Sequence, residues 1–269
     1  MRNIHNYITV IVSVFHTILA MLSAIAYGTA PLIYRRALFC TSQFKAMSIF
    51  SLYSIALGLL LPWEEVSIDG VFHIIIAALS GGILGSWLYI TAVKKGGPSI
   101  GNISSSFYIV MLPLIAGKFL LIPAALLLLL GIAIASWSES SSRRGALYGI
   151  FAAFVWTWSI NFYAHAVASL GPGGALFIRG LVVSLVALVL SIKAPICYIR
   201  RLAIGGFLDS FIGFGAYTLA VSVGDYVSVT LVMSSYPLIT TLLERPVLVR
   251  RVFGVLTAVV GLYLAVIFG

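Results

Sequence analysis

Asp209 stands eight residues beyond Arg201, inside an apolar run. At 1.5 Å per helical residue its carboxyl lies about 12 Å into that run. An ionisable group at such depth in hydrocarbon is costly, and where it persists it commonly serves solute or ion traffic. Two readings stand for Asp209: a proton or substrate-amine site facing a central cavity, or a carboxyl neutralised by a basic neighbour near the helix end. Arg179 lies a few residues into another apolar run. Its planar fork suits a substrate carboxylate; the alternative is an Arg that snorkels to the interface or pairs with an acid. His16 and His165 are candidate proton relays, or else hydrogen-bonded structural histidines. Tyr27, Trp87, Tyr89, Trp156, Trp158, Tyr163 and Tyr217 form an aromatic set. Several of them lie mid-run, where interface anchoring does not explain them. They suit a cavity that holds an organic solute by stacking and by its polar tips, or plain helix packing. Asn161, with Thr157 and Ser159 close by, adds polar groups that must find partners.

The elements that position these residues follow from composition. The 269 residues are 61% hydrophobic and 9% charged, with a mean hydropathy of +1.13. So few charges cannot cover a soluble surface. The apolar runs are as long as bilayer-crossing helices require and lack the alternation of barrel strands. Ten spans can be drawn, near 8–33, 43–62, 71–93, 99–117, 119–137, 145–168, 174–192, 202–223, 226–243 and 247–268, separated by charged or Gly/Pro-rich breaks. The net charge of +9 does not point to nucleic acid, because the Lys and Arg sit at span ends as topology determinants do. Cys40 and Cys197 show no metal-ligand spacing and read as inert.

The chain repeats itself. At an offset of 128, Gly85, Tyr89, Ala92, Val93, Gly96, Ser106 and Tyr108 fall on Gly213, Tyr217, Ala220, Val221, Gly224, Ser234 and Tyr236. At an offset of 129, Ala24, Tyr27, Tyr34 and Ala37 fall on Ala153, Trp156, Tyr163 and Ala166. This divides the chain into 1–137, a polar linker 138–144, and 145–269, with five spans in each half. Five is odd, so the second copy must enter the membrane from the opposite side. The expected fold is an all-α integral membrane protein of ten transmembrane helices in two inverted five-helix repeats, an architecture from which many secondary transporters are built. Of the 16 Lys and Arg, only Arg2, Lys118 and Arg179 fall outside the loops after spans one, three, five, seven and nine. The positive-inside rule then puts both termini outside the cytoplasm, in a multi-pass plasma (cytoplasmic) membrane protein.

Ser234-Ser235-Tyr236-Pro237, followed by Glu244, Gly254 and Gly261 and preceded by Tyr217, Ala220 and Gly224, resembles the drug/metabolite transporter superfamily, specifically its ten-helix EamA-type carriers. Lys45 and Arg179, near the starts of spans two and seven, resemble the family's basic residues there. In the first half the pattern departs: Ser105-Ser106-Phe107-Tyr108 has its Pro113 late and no Glu follows. The resemblance implies metabolite export; it also implies cytoplasmic termini, against the loop charges.

No phosphate-binding Gly-Lys-Ser/Thr loop, His-Glu-x-x-His or Cys-x-x-Cys occurs. The sequence therefore reads as a non-enzymatic secondary carrier, without cofactor or metal, that moves a small organic metabolite such as an amino acid by alternating access. Its partners are that small-molecule substrate and the lipid bilayer, not nucleic acid, and one chain holds a complete pathway as a monomer. The competing readings are an integral-membrane lipid-modifying enzyme, which needs a polar catalytic cluster at one interface, and a non-transporting membrane scaffold, which needs no central polar cavity.

Overall fold

The computed structural model of the protein describes residues 2–136, 142–244 and 249–268. Residues 138–141 of the expected linker, and Arg245 and Pro246 of the break after the ninth span, lie outside the described residues. Among the described residues every regular element is helical. The α-helices are α1 Arg2–Tyr34, α2 Gln43–Leu60, α3 Ile68–Ala77, α4 Ser86–Ser105, α5 Tyr108–Ile115, α6 Ile122–Ser136, α7 Arg143–Leu190, α8 Ile199–Gly206, α9 Gly215–Val223, α10 Tyr226–Met233, α11 Tyr236–Glu244 and α12 Val249–Phe268. Two π-helical segments, Ala78–Gly85 and Phe207–Phe214, join α3 to α4 and α8 to α9. Eight helical stretches among the described residues are long and apolar enough to cross a membrane, and Ile100–Ile115 is a shorter apolar helix. Large apolar side chains such as Leu60, Val189, Phe253 and Tyr263 stand exposed around the outside, a surface that suits lipid and not water. The chain is an all-α, membrane-spanning protein.

The expected spans and the helices differ most at α7, whose 48 residues hold two helices joined at a kink. Run straight, it would be about 72 Å long, more than twice the roughly 30 Å of a bilayer core. It is not straight: Gly171 has φ 71° and ψ 167°, followed by Pro172. Only glycine adopts that backbone cheaply. The arm 143–170 packs on α3, with Gly70 against Leu170 and the Ser159 hydroxyl donating to the Ala77 carbonyl at 3.0 Å. The arm 172–190 packs on α2, with Gly58 against Gly173 and Phe177, and Gly180 against Ser51 and Ile55. Position numbers fall along α2 and α3 as they rise along α7, so the two arms run antiparallel and the chain reverses at Gly171. A second reversal hides in α4: a Cβ on Gly101 would stand 3.1 Å from the Val93 nitrogen, although eight residues of straight helix span about 12 Å.

The connecting segments dock in pairs at the two ends of the bundle. At one end, Glu64 N–H donates to the Leu170 carbonyl at 3.0 Å and Gly173 N–H to the Pro62 carbonyl at 2.9 Å. At the other end, Cys197 N–H donates to Thr41 Oγ1 at 2.9 Å. Cys40 and Cys197, expected to be inert, are here joined in a disulfide, with their Cα atoms 6.0 Å apart. Their 157-residue separation hid the pairing from any local spacing argument.

Two apolar clusters hold the helices together. One gathers α5, α6, α10 and α12 around Ile109, Leu128 and Leu231. The other packs Ala20, Ile74, Ala166, Leu170, Ala220 and Val229 at the Gly171 end of the bundle. In membranes, helices associate through close packing of small residues, and α6 against α12 is one such case. A Cβ on Gly131 would stand 2.5 Å from the Ala258 nitrogen and the Gly254 carbonyl oxygen. Gly131→Val is expected to destabilise the folded protein by about 1–3 kcal/mol, the cost typical of overpacking. Thermal melting in detergent checks this, with the outward-facing Leu130→Val as the neutral control.

Candidate functional site

A cavity of about 290 Å³ lies between the helices in mid-bundle. Its walls come from α1 (Tyr27, Pro31, Tyr34), the first π segment and α4 (Gly81, Ser86, Tyr89), and α5 (Tyr108). They continue through both arms of α7 (Trp156, Ser159, Ile160, Tyr163; Arg179), the second π segment (Asp209, Phe214), and α9 to α11 (Tyr217, Met233, Tyr236). All four aromatic pairs matched by the two sequence offsets line it: Tyr27 with Trp156, Tyr34 with Tyr163, Tyr89 with Tyr217, and Tyr108 with Tyr236.

The π segments explain how Asp209 comes to face inward. A π turn carries one more residue than an α turn, so it shifts the side-chain register and frees backbone carbonyls, often at functional sites. Here α7 adds donors to two carbonyls at the first π segment, one of which, Gly81, also accepts from Ser86. Trp156 Nε1–H donates to the Gly81 carbonyl at 3.2 Å, one turn from the Ser159 bond to Ala77. Gly81 is the residue 128 positions before Asp209. The two segments are eight residues each and start 129 positions apart.

Asp209 is half-buried and accepts a long hydrogen bond from Ser210 Oγ at 3.4 Å. The Arg179 guanidinium lies 4.0 Å from the Phe214 ring centroid, a cation–π contact. Among the described residues no salt bridge joins Arg179 to Asp209, although each lies within the other's field. Both charges therefore face the cavity with capacity to spare. Four tyrosine hydroxyls around it are committed to protein partners: Tyr89 to Asn102 at 2.7 Å, Tyr108 to Ser234 at 2.6 Å, Tyr163 to Thr218 at 2.6 Å and Tyr217 to Thr230 at 2.9 Å. Tyr27, Tyr34 and Tyr236 make no hydroxyl bond among the described residues. Their phenols, with Arg179 and Asp209, are the polar groups offered to a ligand within aromatic walls.

The cavity is asymmetric along the bundle. Phe214, Tyr163 and Tyr217 close one end, with Tyr163 and Tyr217 nearly parallel at 16° and 6.1 Å between centroids. Behind them lies the packed cluster at the Gly171 end. In the other direction the walls continue to Pro31 and Tyr34 in the last turn of α1.

The residues singled out in the sequence divide cleanly by position. Asp209, Arg179, Tyr27, Tyr89, Trp156, Tyr163 and Tyr217 share the cavity. Trp158, two residues from Trp156 and so on the far side of the same helix, is 42% exposed on the outside. Asn161 Oδ1 accepts a hydrogen bond from Tyr226 at 3.2 Å and does not reach the cavity. His16 packs against Gly224, with a buried Nδ1 that has no partner. His165 stands 5.6 Å from the His73 ring at the periphery. Tyr34, Tyr108 and Tyr236 were not singled out as site residues. Their membership in the repeat pairs was the signal that would have found them.

No protein-family model and no curated protein matches the sequence. A solved crystal structure of another protein does superpose, with a TM-score of 0.75 over 93% of this chain and 96% of that chain, at 14% identity. The two share a fold. At that identity the likeness speaks to the fold alone.

The Tyr108–Ser234 bond ties together two segments that the sequence offset matches, across 126 residues. A double-mutant cycle of Tyr108→Phe and Ser234→Ala, read by thermal melting, is expected to give a coupling of about 1 kcal/mol, as for a typical buried hydrogen bond. Additive effects would mean that the pair does not hold the segments together.

Proposed function

We propose that the protein is a secondary carrier, not an enzyme, that moves a small organic solute, an amino acid or similar metabolite, by alternating access through this cavity. One observation carries the reading: the two charges deep in apolar helices, Asp209 and Arg179, share one aromatic-walled cavity instead of facing lipid or separate packing contacts. A scaffold has no use for such a cavity, and a lipid-modifying enzyme would carry its polar groups at one interface. The resemblance to EamA-type carriers of the drug/metabolite transporter superfamily agrees with this reading and adds export as the direction. In a bound zwitterion, the carboxylate would meet Arg179, the ammonium group would meet Asp209, and the side chain would lie among the rings.

We further read the chain as ten crossings in two inverted repeats, 1–137 and 145–269, with α7 counted as two crossings. Three observations support this. The π segments recur at matched positions. The Tyr89–Asn102 and Tyr217–Thr230 bonds are the same contact 128 residues apart. Matched loop pairs, Thr41 with Cys197 and Leu170 with Glu64, dock at opposite ends of the bundle, as an inverted copy requires. In this reading the structure is the state closed at the Gly171 end and reached from the Tyr34 end. Loop charge makes the Tyr34 end cytoplasmic in the plasma membrane, and one chain suffices for the pathway.

The test is ligand-dependent thermal stabilisation of the purified protein over a panel of amino acids, nucleosides, polyamines and sugar phosphates. A ligand at about 100 times its Kd stabilises by about 2.7 kcal/mol. Arg179→Gln and Asp209→Asn are each expected to weaken that ligand by about tenfold to a hundredfold, the worth of a hydrogen bond to a charged group. A shift unchanged in both variants would overturn the site.

A further inference from the structure

The two docked loop pairs are matched in place but not in means. At the Gly171 end the joint is built from backbone hydrogen bonds and ring packing. Two backbone hydrogen bonds join 62–64 to 170–173, Trp63 Nε1–H donates to the Gly58 carbonyl at 2.8 Å, and the Trp63 ring lies 5.4 Å from Phe177. At the Tyr34 end the equivalent joint has no backbone-to-backbone bond across it among the described residues. Thr41 bridges it, accepting from Cys197 N–H at 2.9 Å and donating to the Cys197 carbonyl at 3.4 Å. The buried apolar cluster there is small, Ala37, Ala46 and Leu202. What this end has instead is the Cys40–Cys197 pair. Its Cα separation of 6.0 Å lies within the range that a disulfide spans without backbone movement.

The place of this joint gives it consequence. Tyr34, a cavity wall, ends α1 three residues before Ala37 and packs on Gly205 of α8. Asp209 follows four residues after Gly205. A bond from Cys40 to Cys197 therefore ties the segment after α1 to the segment before α8, and α1 and the π segment that follows α8 both wall the cavity. The same end of the bundle carries Arg35, Arg36, Lys193, Arg200 and Arg201, and the positive-inside rule makes that end cytoplasmic. The cytoplasm keeps ordinary thiols reduced, and disulfides there are typically transient.

We propose that Cys40 and Cys197 form a reversible redox clamp at the cavity mouth, open as two thiols in the resting cytoplasm and closed by a peroxide oxidant. In closing, the two thiols surrender two electrons and two protons. The S–S bond forms, the O–O bond of hydrogen peroxide breaks, and two waters leave. A dithiol reductant reverses the step. The closed clamp fixes the spacing of Tyr34 and Asp209 across the mouth; the open one leaves it to the Thr41 bonds and noncovalent packing around Ala37, Ala46 and Leu202. This inference rests on the cytoplasmic placement of the Tyr34 end and on the carrier reading for its biological use, but its test needs no solute.

The first arm traps thiols in intact cells with N-ethylmaleimide, then reduces the membranes and tags newly freed thiols with a polyethylene-glycol maleimide. Unstressed cells should give no tagged protein, and brief hydrogen peroxide treatment before trapping should give the doubly tagged band. The second arm compares hydrogen exchange of the wild-type protein in detergent, oxidised against reduced. Oxidation should slow exchange in residues 31–42 and 197–206 by about tenfold and leave 61–67 and 169–174 unchanged. A doubly tagged band already present in unstressed cells, no band after peroxide, or equal exchange in the two redox states would each overturn the clamp. A failure of the solute panel with these results intact would count against the carrier reading alone.

Discussion

A charge kept inside an apolar helix constrains everything around it. Asp209 and Arg179 cannot be left against hydrocarbon, where an ionised side chain costs several kcal/mol even after local accommodation. The fold meets that constraint by closing a ring of helices around both and giving each a polarisable surface. Phe214 lies against the guanidinium face, and the Ser210 hydroxyl donates to the carboxyl. The pair does not neutralise itself in a direct salt bridge. Had it done so, the cavity would be a structural ion pair with its capacity spent. Keeping the partners apart leaves both charges facing the cavity, which is the feature the proposed carrier reading relies on.

The same constraint reaches the backbone. Backbone carbonyls in hydrocarbon must be satisfied by protein donors. At the first π segment Ser86 donates to Gly81 from its own chain segment, and Trp156 and Ser159 of α7 add bonds to Gly81 and Ala77. Trp156 is thereby both a wall of the cavity and a structural partner of Gly81, and it stacks near Tyr89 and Tyr108 as well. Local backbone geometry, helix packing and cavity shape thus depend on one side chain. The reversal at Gly171 serves a similar end: it lets both arms of α7 contribute to the site, Tyr163 from one and Arg179 from the other.

Much of this was legible in the residues. Apolar run length is a property of local sequence, so the membrane class and most crossings could be read directly. The aromatic pairs were legible because duplication preserves position, and every matched aromatic pair lies in the cavity. What stayed hidden depended on rotation and on distance. Trp156 and Trp158 look equivalent as letters but point to opposite sides of one helix. The π segments carry no periodic signature, so nothing in the run around Asp209 revealed how its register is shifted. Asn161 has a partner, Tyr226, 65 positions away, and Cys40 meets Cys197 across a greater gap. Such contacts exist only once the helices are assembled. The Gly171-Pro172 break was visible as a span boundary, and the positive φ at Gly171 marks the same place in the structure.

The most direct test of the central claim is counterflow in proteoliposomes. Vesicles loaded with an unlabelled amino acid are diluted into a trace of the same compound carrying a radioactive label, across the common amino acids in turn. A carrier with a central site reached from alternate sides exchanges one for the other, and label accumulates transiently above the level in protein-free vesicles. The account predicts that overshoot for at least one amino acid, and its absence for the same compound when Arg179 is replaced by Gln. Label at the protein-free level for every amino acid, with the reconstituted protein still showing its cooperative melting transition, would contradict it.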